Sequence, residues 1–238
     1  MLLSACGGQK DGRTDRRTDG QDSTHAPSPS ARPTARPPVR PSVLFLGTSL
    51  TAGYGLSDPS LAYPALIQAK LDSAGRRFRV VNAGISGESS AGALARIDWL
   101  MNQGPVAVLV IETGANDGLR GQDPDSVRAR IQGIIDRARR GSPPPRIVIT
   151  GMEAMPNLGA SYVRRFRGIY PALATANHSA LVPFLLAGVA GVDSLNQEDG
   201  MHPNPQGVDV IVNRITPLAM ELVHQAQGKR TRPGQSAR

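Results

Sequence analysis

Cysteine is almost missing: the 238 residues hold one, Cys6, so no intramolecular disulfide can form. Aromatic side chains are scarce too, at 4%, with one Trp, four Tyr and four Phe. A core must therefore rest on Val, Leu, Ile and Ala. With one cysteine and four histidines there is no cysteine–histidine cluster of the kind that ligates zinc. No metal and no cofactor is expected. Nor is any segment long and apolar enough to span a bilayer.

A one-signed charge is missing from the part that can fold. The net charge is +8, but it sits at the ends. Residues 1–40 carry seven Lys/Arg and four Asp, and residues 229–238 carry four Lys/Arg and no acid. Residues 41–228 hold sixteen basic and fifteen acidic side chains. A polyanion-binding groove needs a basic stripe on the folded face, so nucleic acid is not an expected partner.

The N-terminal stretch Leu3-Ser4-Ala5-Cys6 followed by Gly7-Gly8 resembles a bacterial lipobox, in which the cysteine is lipidated after signal cleavage. A full signal needs an apolar region of about 7–15 residues. Only five residues precede Cys6, so residues 1–6 read as the end of a truncated signal. Residues 7–41 are rich in Arg, Asp, Ser, Thr and Pro and read as a disordered tether. The expectation is a lipid-anchored or periplasmic protein of the bacterial cell envelope, held at a membrane surface through Cys6. Residues 227–238 read as a disordered basic tail. That leaves 42–226 as one domain.

Inside 42–226 short apolar runs alternate with helical stretches. Strands are expected at 43–47, 78–82, 106–112, 146–151 and, more weakly marked, 181–184. Each is rich in Val, Ile and Leu, as strands buried on both faces are. Helices are expected near 60–74, 90–102, 124–140, 161–177 and 205–226. Asp123-Pro124-Asp125 is a helix start signal. Such alternation predicts an α/β fold, a parallel sheet with helices on both faces.

Four loops at the strand ends carry polar residues suited to acyl transfer. The first is Gly47-Thr48-Ser49-Leu50, which lifts a serine from the carboxyl edge of the first strand, where open α/β sheets place ligands. The second contains Ile85-Ser86-Gly87, whose glycine can bring a backbone N–H close to a ligand. The third contains Gly114-Ala115-Asn116-Asp117, and the Asn116 amide can donate to a developing oxyanion. The fourth is Asp199-Gly200-Met201-His202. An Asp and a His three apart can share one loop, with the carboxylate on Nδ1 and Nε2 free to face a serine. Each loop alone is common as a turn. Their order along one alternating chain is far less common. His25, His178 and His224 have no such carboxylate spacing.

These loops resemble the four blocks of the SGNH hydrolases, also called GDSL esterases, over roughly residues 42–226. The subgroup they are most similar to is the thioesterase I, lysophospholipase L1 and arylesterase type. The resemblance implies a three-layer α/β/α sandwich around a five-stranded parallel sheet, flavodoxin-like in outline. It implies Ser49 as nucleophile, His202 as base, and Asp199 as the residue that orients it. Ser49, Gly87 and Asn116 would form the oxyanion hole. The family's Asp before the serine is Thr48 here, which is expected to weaken the hydrogen bonding that holds the nucleophile turn. Asp117 is expected to brace its loop.

The function so implied is hydrolysis of a small-molecule carboxylic ester of aryl, thio- or lysophospholipid type through an acyl-enzyme. Met152, Met155 and Leu158 are expected to wall the acyl pocket, and Arg164 and Arg165 to serve solubility rather than a leaving group. Two alternatives use the same scaffold: a carbohydrate O-acetylesterase, and a non-catalytic envelope-binding lipoprotein.

Overall fold

The computed structural model describes residues 40–230, with side chains to residue 227. Cys6, residues 1–39 of the expected signal and tether, and residues 231–238 of the expected tail lie outside the described residues.

Five strands form one parallel sheet: β1 (Ser42–Gly47), β2 (Arg79–Gly84), β3 (Val106–Ile111), β4 (Arg146–Thr150) and β5 (Ala180–Val182). Their order across the sheet is β2-β1-β3-β4-β5. All six residues of β1 are buried, whereas the edge strand β2 is half-exposed. Its composition follows: β1 reads Ser-Val-Leu-Phe-Leu-Gly, and β2 includes Arg79 and Asn82.

Seven α-helices accompany the strands: α1 (Ser49–Ala52), α2 (Tyr63–Ser73), α3 (Ser90–Met101), α4 (Ala115–Leu119), α5 (Pro124–Ala138), α6 (Ala160–Ala176) and α7 (Pro205–Arg230). Helices α2 and α7 pack on each other, and α5 packs on both α3 and α6. These are the two outer layers of an α/β/α sandwich. Their inner faces supply Ile67 and Leu71 from α2, Ile131, Ile134 and Ile135 from α5, and Ile211 and Ile215 from α7, each buried against the sheet. Asp123 caps α5 by accepting the Ser126 N–H at 3.0 Å, with Pro124 in the first turn. Among the described residues, no helix is long and apolar enough to cross a membrane.

The five expected strands and five long helices are all present, with ends within a few residues. Two short helices went unread, α1 and α4, which follow the first and third strands directly. The expected tail from residue 227 needs correction, because α7 continues through Arg230. No proline stands between residue 227 and Pro233, and nothing else in that stretch forces a stop.

Strand order places the site. The chain leaves β1 for β2 on one side, and then crosses to β3 on the other. A topological switch point therefore lies between the carboxyl ends of β1 and β3, where doubly wound sheets open a crevice. Ser49 follows β1 and Asn116 follows β3, so both sit at that crevice.

Candidate active site

The turn that carries Ser49 starts at Gly47, the last residue of β1. A Cβ there would overlap the Thr51 side chain and lie 2.7 Å from Glu112 Oε2. Only glycine lets α1 fold back so tightly over the strand end. Ser49 is the first residue of α1, so its N–H has no carbonyl one turn earlier to bond. Its hydroxyl meets His202 Nε2 at 2.8 Å, across 153 positions of sequence.

His202 and Asp199 belong to one loop just before α7. Asp199 Oδ1 accepts the backbone N–H groups of Met201 and His202, each at 2.9 Å. Its Oδ2 lies 2.6 Å from His202 Nδ1. The His202 N–H, the imidazole and the Met201 N–H, in that order, hold the Asp199 carboxyl down to about 2. An ionised carboxylate can only accept. The proton between them therefore sits on Nδ1, and Nε2, when it carries no proton, is the acceptor for the serine O–H. Gln197 anchors this loop: its N–H donates to His202 O at 2.8 Å, and its amide donates to Tyr54 O at 2.8 Å and Pro203 O at 2.9 Å. The Tyr54 ring lies tilted against the imidazole, with centroids 4.8 Å apart.

The remaining donors come from the second and third loops. Gly87 has φ 79° with open space where a Cβ would be, and its N–H has no acceptor among the described residues. Asn116 Nδ2 donates to Glu88 O at 3.1 Å, which uses one of its two hydrogens and leaves the other available. Arg120 donates to Gly87 O at 3.1 Å. Beneath them, the fully buried Asp117 accepts both the N–H and the hydroxyl of Ser90 at 2.7 Å, with Arg130 at 3.4 Å. Asp117 thus braces loop two against loop three, as its position suggested. Arg96 ties the same region together, bonding both oxygens of Glu88 and, at 2.6 Å, Ala83 O.

One expectation is overturned. Thr48 does not leave the Ser49 turn poorly held. It is 1% exposed, and its N–H and hydroxyl reach Glu112 Oε2 and Oε1 at 2.7 and 2.9 Å. A hydroxyl presents a donor to a buried carboxylate, where a second carboxylate could not. Glu112 itself was missed, as were Thr51 and Tyr63, which bond each other at 2.6 Å beside it. The signal was a lone acidic residue directly after the apolar run Val106–Ile111. Burial pushes the Glu112 carboxyl up to about 7 against the opposing pull of its Thr48 and Thr51 hydrogen bonds.

The surroundings are apolar. Tyr54, Ile85, Leu119, Met155 and Met201 are all exposed large side chains, Leu119 at the end of α4 and the others in loops that follow β1, β2 and β4 or beside His202. Met152 is buried and fills core, so of the expected wall only Met155 and the half-buried Leu158 reach the surface. Arg165 is taken up by Asp123 and Asp125. Hollows of about 830 and 700 Å³ lie along the β2 edge and near the Ser142–Pro144 turn, and neither is lined by Ser49, Asp199 or His202. Among the described residues, no group of three or more His, Cys, Asp or Glu side chains is placed to hold a metal ion.

The chemistry of such an arrangement is acyl transfer. The serine hydroxyl can pass its proton to Nε2 as Oγ attacks a carbonyl. Comparison with known proteins agrees. The chain is 41% identical over 182 residues to Esterase TesA of Pseudomonas aeruginosa, a match covering 76% of this chain and 89% of that one. It is 35% identical over 181 residues to the thioesterase 1/protease 1/lysophospholipase L1 of Escherichia coli K12, covering 74% and 84%. The crystal structure of TesA superposes with a TM-score of 0.71 at 38% identity, covering 76% of this chain and 99% of that one. A profile described as the GDSL-like Lipase/Acylhydrolase family matches residues 45–210, and it is to this family of serine-type ester hydrolases, of the SGNH fold, that the chain belongs.

Proposed function

We propose that Ser49 is the nucleophile of an esterase acting on acyl esters with an apolar acyl chain, by way of an acyl-enzyme. The observation that carries this is the unbroken relay Asp199 Oδ2–His202–Ser49 Oγ, at 2.6 and 2.8 Å. His202 takes the serine proton as Oγ attacks the ester carbonyl. The oxyanion is met by the Ser49 and Gly87 N–H groups and the free Asn116 amide hydrogen. His202 returns its proton to the leaving alcohol or thiol, and a water activated by the same nitrogen releases the acid.

The apolar side chains about the serine favour hydrocarbon over sugar. Aryl, thio- and lysophospholipid esters are the classes the relatives' names bring into view. The test is hydrolysis of p-nitrophenyl acetate, octanoate and palmitate by wild type and Ser49→Ala. Turnover by wild type with a preference for octanoate over acetate is expected. Equal rates for the two proteins on every ester would overturn the reading.

We also propose that Cys6 anchors the enzyme to a membrane of the bacterial cell envelope. The support is the lipobox-like Leu3-Ser4-Ala5-Cys6 and the Pro-rich stretch after it, which is long enough to hold an enzyme off a surface. Fatty-acid labelling of the protein expressed in a bacterial host behind a lipoprotein signal tests it, and a lack of label on Cys6 would refute it.

A further inference from the structure

Glu112 makes no contact with the triad, and the acyl-transfer steps do not use it. Yet it is 0% exposed and sits directly under the nucleophile. Its Oε2 accepts the Thr48 N–H at 2.7 Å, the Thr51 N–H at 3.3 Å and the Thr51 hydroxyl at 2.8 Å. Its Oε1 accepts the Thr48 hydroxyl at 2.9 Å. Ser49 lies between the two threonines so held. The turn has no cap of its own, since the Thr48 side chain makes no capping bond to α1. A carboxylate from β3 takes that place instead.

The registry makes this possible. Leu46 pairs with Ile111, and the Glu112 N–H bonds Leu46 O at 2.8 Å, so Glu112 extends β3 alongside the start of the turn. Behind it, the Tyr63 hydroxyl can donate to Thr51 Oγ1, which donates on to Glu112. Every one of these donors points toward the carboxylate.

We propose that Glu112 is the positioning residue of the nucleophile: an acceptor at Oε2 fixes Thr48 and Thr51, and through them the place from which Ser49 Oγ meets His202. This rests on the esterase reading above. What the turn requires is the acceptor rather than the charge. Burial brings the Glu112 carboxyl to about 7, so both forms exist near neutrality, and Oε2 can accept the two N–H groups in either. In the neutral form Oε1–H donates to Thr48 Oγ1, a hydroxyl able to accept. The titratable groups around it are Tyr63 on α2 and Tyr170 on α6, both driven up by their own burial. Among the described residues, Arg96 on α3 brings a cation to the turn: its guanidinium reaches Gly47 O at 3.4 Å and is paired with Glu88. Above the turn stand His202 and Asp199.

Three variants, assayed on p-nitrophenyl octanoate with folding checked by thermal unfolding, decide the matter. Glu112→Asp withdraws the carboxylate by about 1.5 Å, out of reach of the Thr48 N–H. Glu112→Leu removes the acceptor. Both should lower kcat about 100-fold with KM changed less than about threefold, because the serine is misplaced rather than the substrate released. Glu112→Gln keeps an acceptor at Oε2 and should recover kcat to within about fivefold of wild type, with the same ratio at pH 6 and pH 8. Inactivation by a fluorophosphonate should follow kcat across the set. If Glu112→Leu does not fold, Glu112→Asp and Glu112→Gln still decide. A wild-type kcat in folded Glu112→Asp or Glu112→Leu, a loss confined to KM, or a Glu112→Gln as slow as Glu112→Asp would each overturn the proposal. Ser49→Ala is assayed beside them. If wild type were no faster than that variant, the esterase reading would fail on its own account, separately from Glu112.

Discussion

Replacing Glu112 by glutamine removes a titration that the fold itself creates. In the unfolded chain this carboxyl ionises near 4.5, and in the native protein near 7. Native protein therefore holds a proton between those values that the unfolded chain has released. By linkage, the contribution of Glu112 to stability is fully present below pH 4.5. It falls as pH rises, and levels off above about 7. At about 1.4 kcal/mol per pH unit, the window is worth roughly 3 kcal/mol. Glutamine has no such dependence. The stability of Glu112→Gln relative to wild type should thus rise by roughly 3 kcal/mol between pH 4 and pH 8. Urea unfolding of the two proteins in parallel measures it, since all other titrations cancel in the difference. A difference that stays flat across the window would refute the buried-acid account. One that falls with pH would mean the hydrogen bonds outweigh desolvation and the carboxyl is held low instead.

Two further outcomes follow from the site. Asp199→Asn presents an amide where the imidazole needs an acceptor, so it favours the wrong tautomer; kcat should drop by about 10⁴-fold with the fold intact, read by steady-state kinetics and circular dichroism. Asp117→Ala strands the Ser90 N–H and hydroxyl in a dry interior and frees Arg130; urea unfolding should show a loss of about 3 kcal/mol.

Much of this site can be read along the chain because its parts are local. Asp199 and His202 lie three residues apart in one loop. Ser49, Gly87 and Asn116 each follow an apolar run that ends where a strand ends. Strand–helix alternation then orders the loops at one edge of the sheet. Glu112 could not be reached that way. Its role depends on the pairing of Leu46 with Ile111, and nothing in either segment alone states that register. The same gap explains why Thr48 was misjudged. Taken by itself it is a residue without the charged acceptor that an aspartate would bring. Set opposite a buried carboxylate, its N–H and hydroxyl are the complement that site needs. The short helices α1 and α4 were unread for another reason: four or five residues carry no periodicity.

The loop that carries Asp199 and His202 behaves as a cassette. Its internal bonds, from Asp199 to two N–H groups and from Gln197 to His202 O, are all made within seven residues. Asp199 and His202 therefore travel together, and among the described residues the loop meets the Ser49 segment through His202 Nε2 on Ser49 Oγ and through Gln197 on Tyr54 O. Loosening of the segment before α7 would part the serine from a still-assembled pair. Heating should then silence the enzyme at a temperature where the sheet is still whole, and cooling should restore it at once.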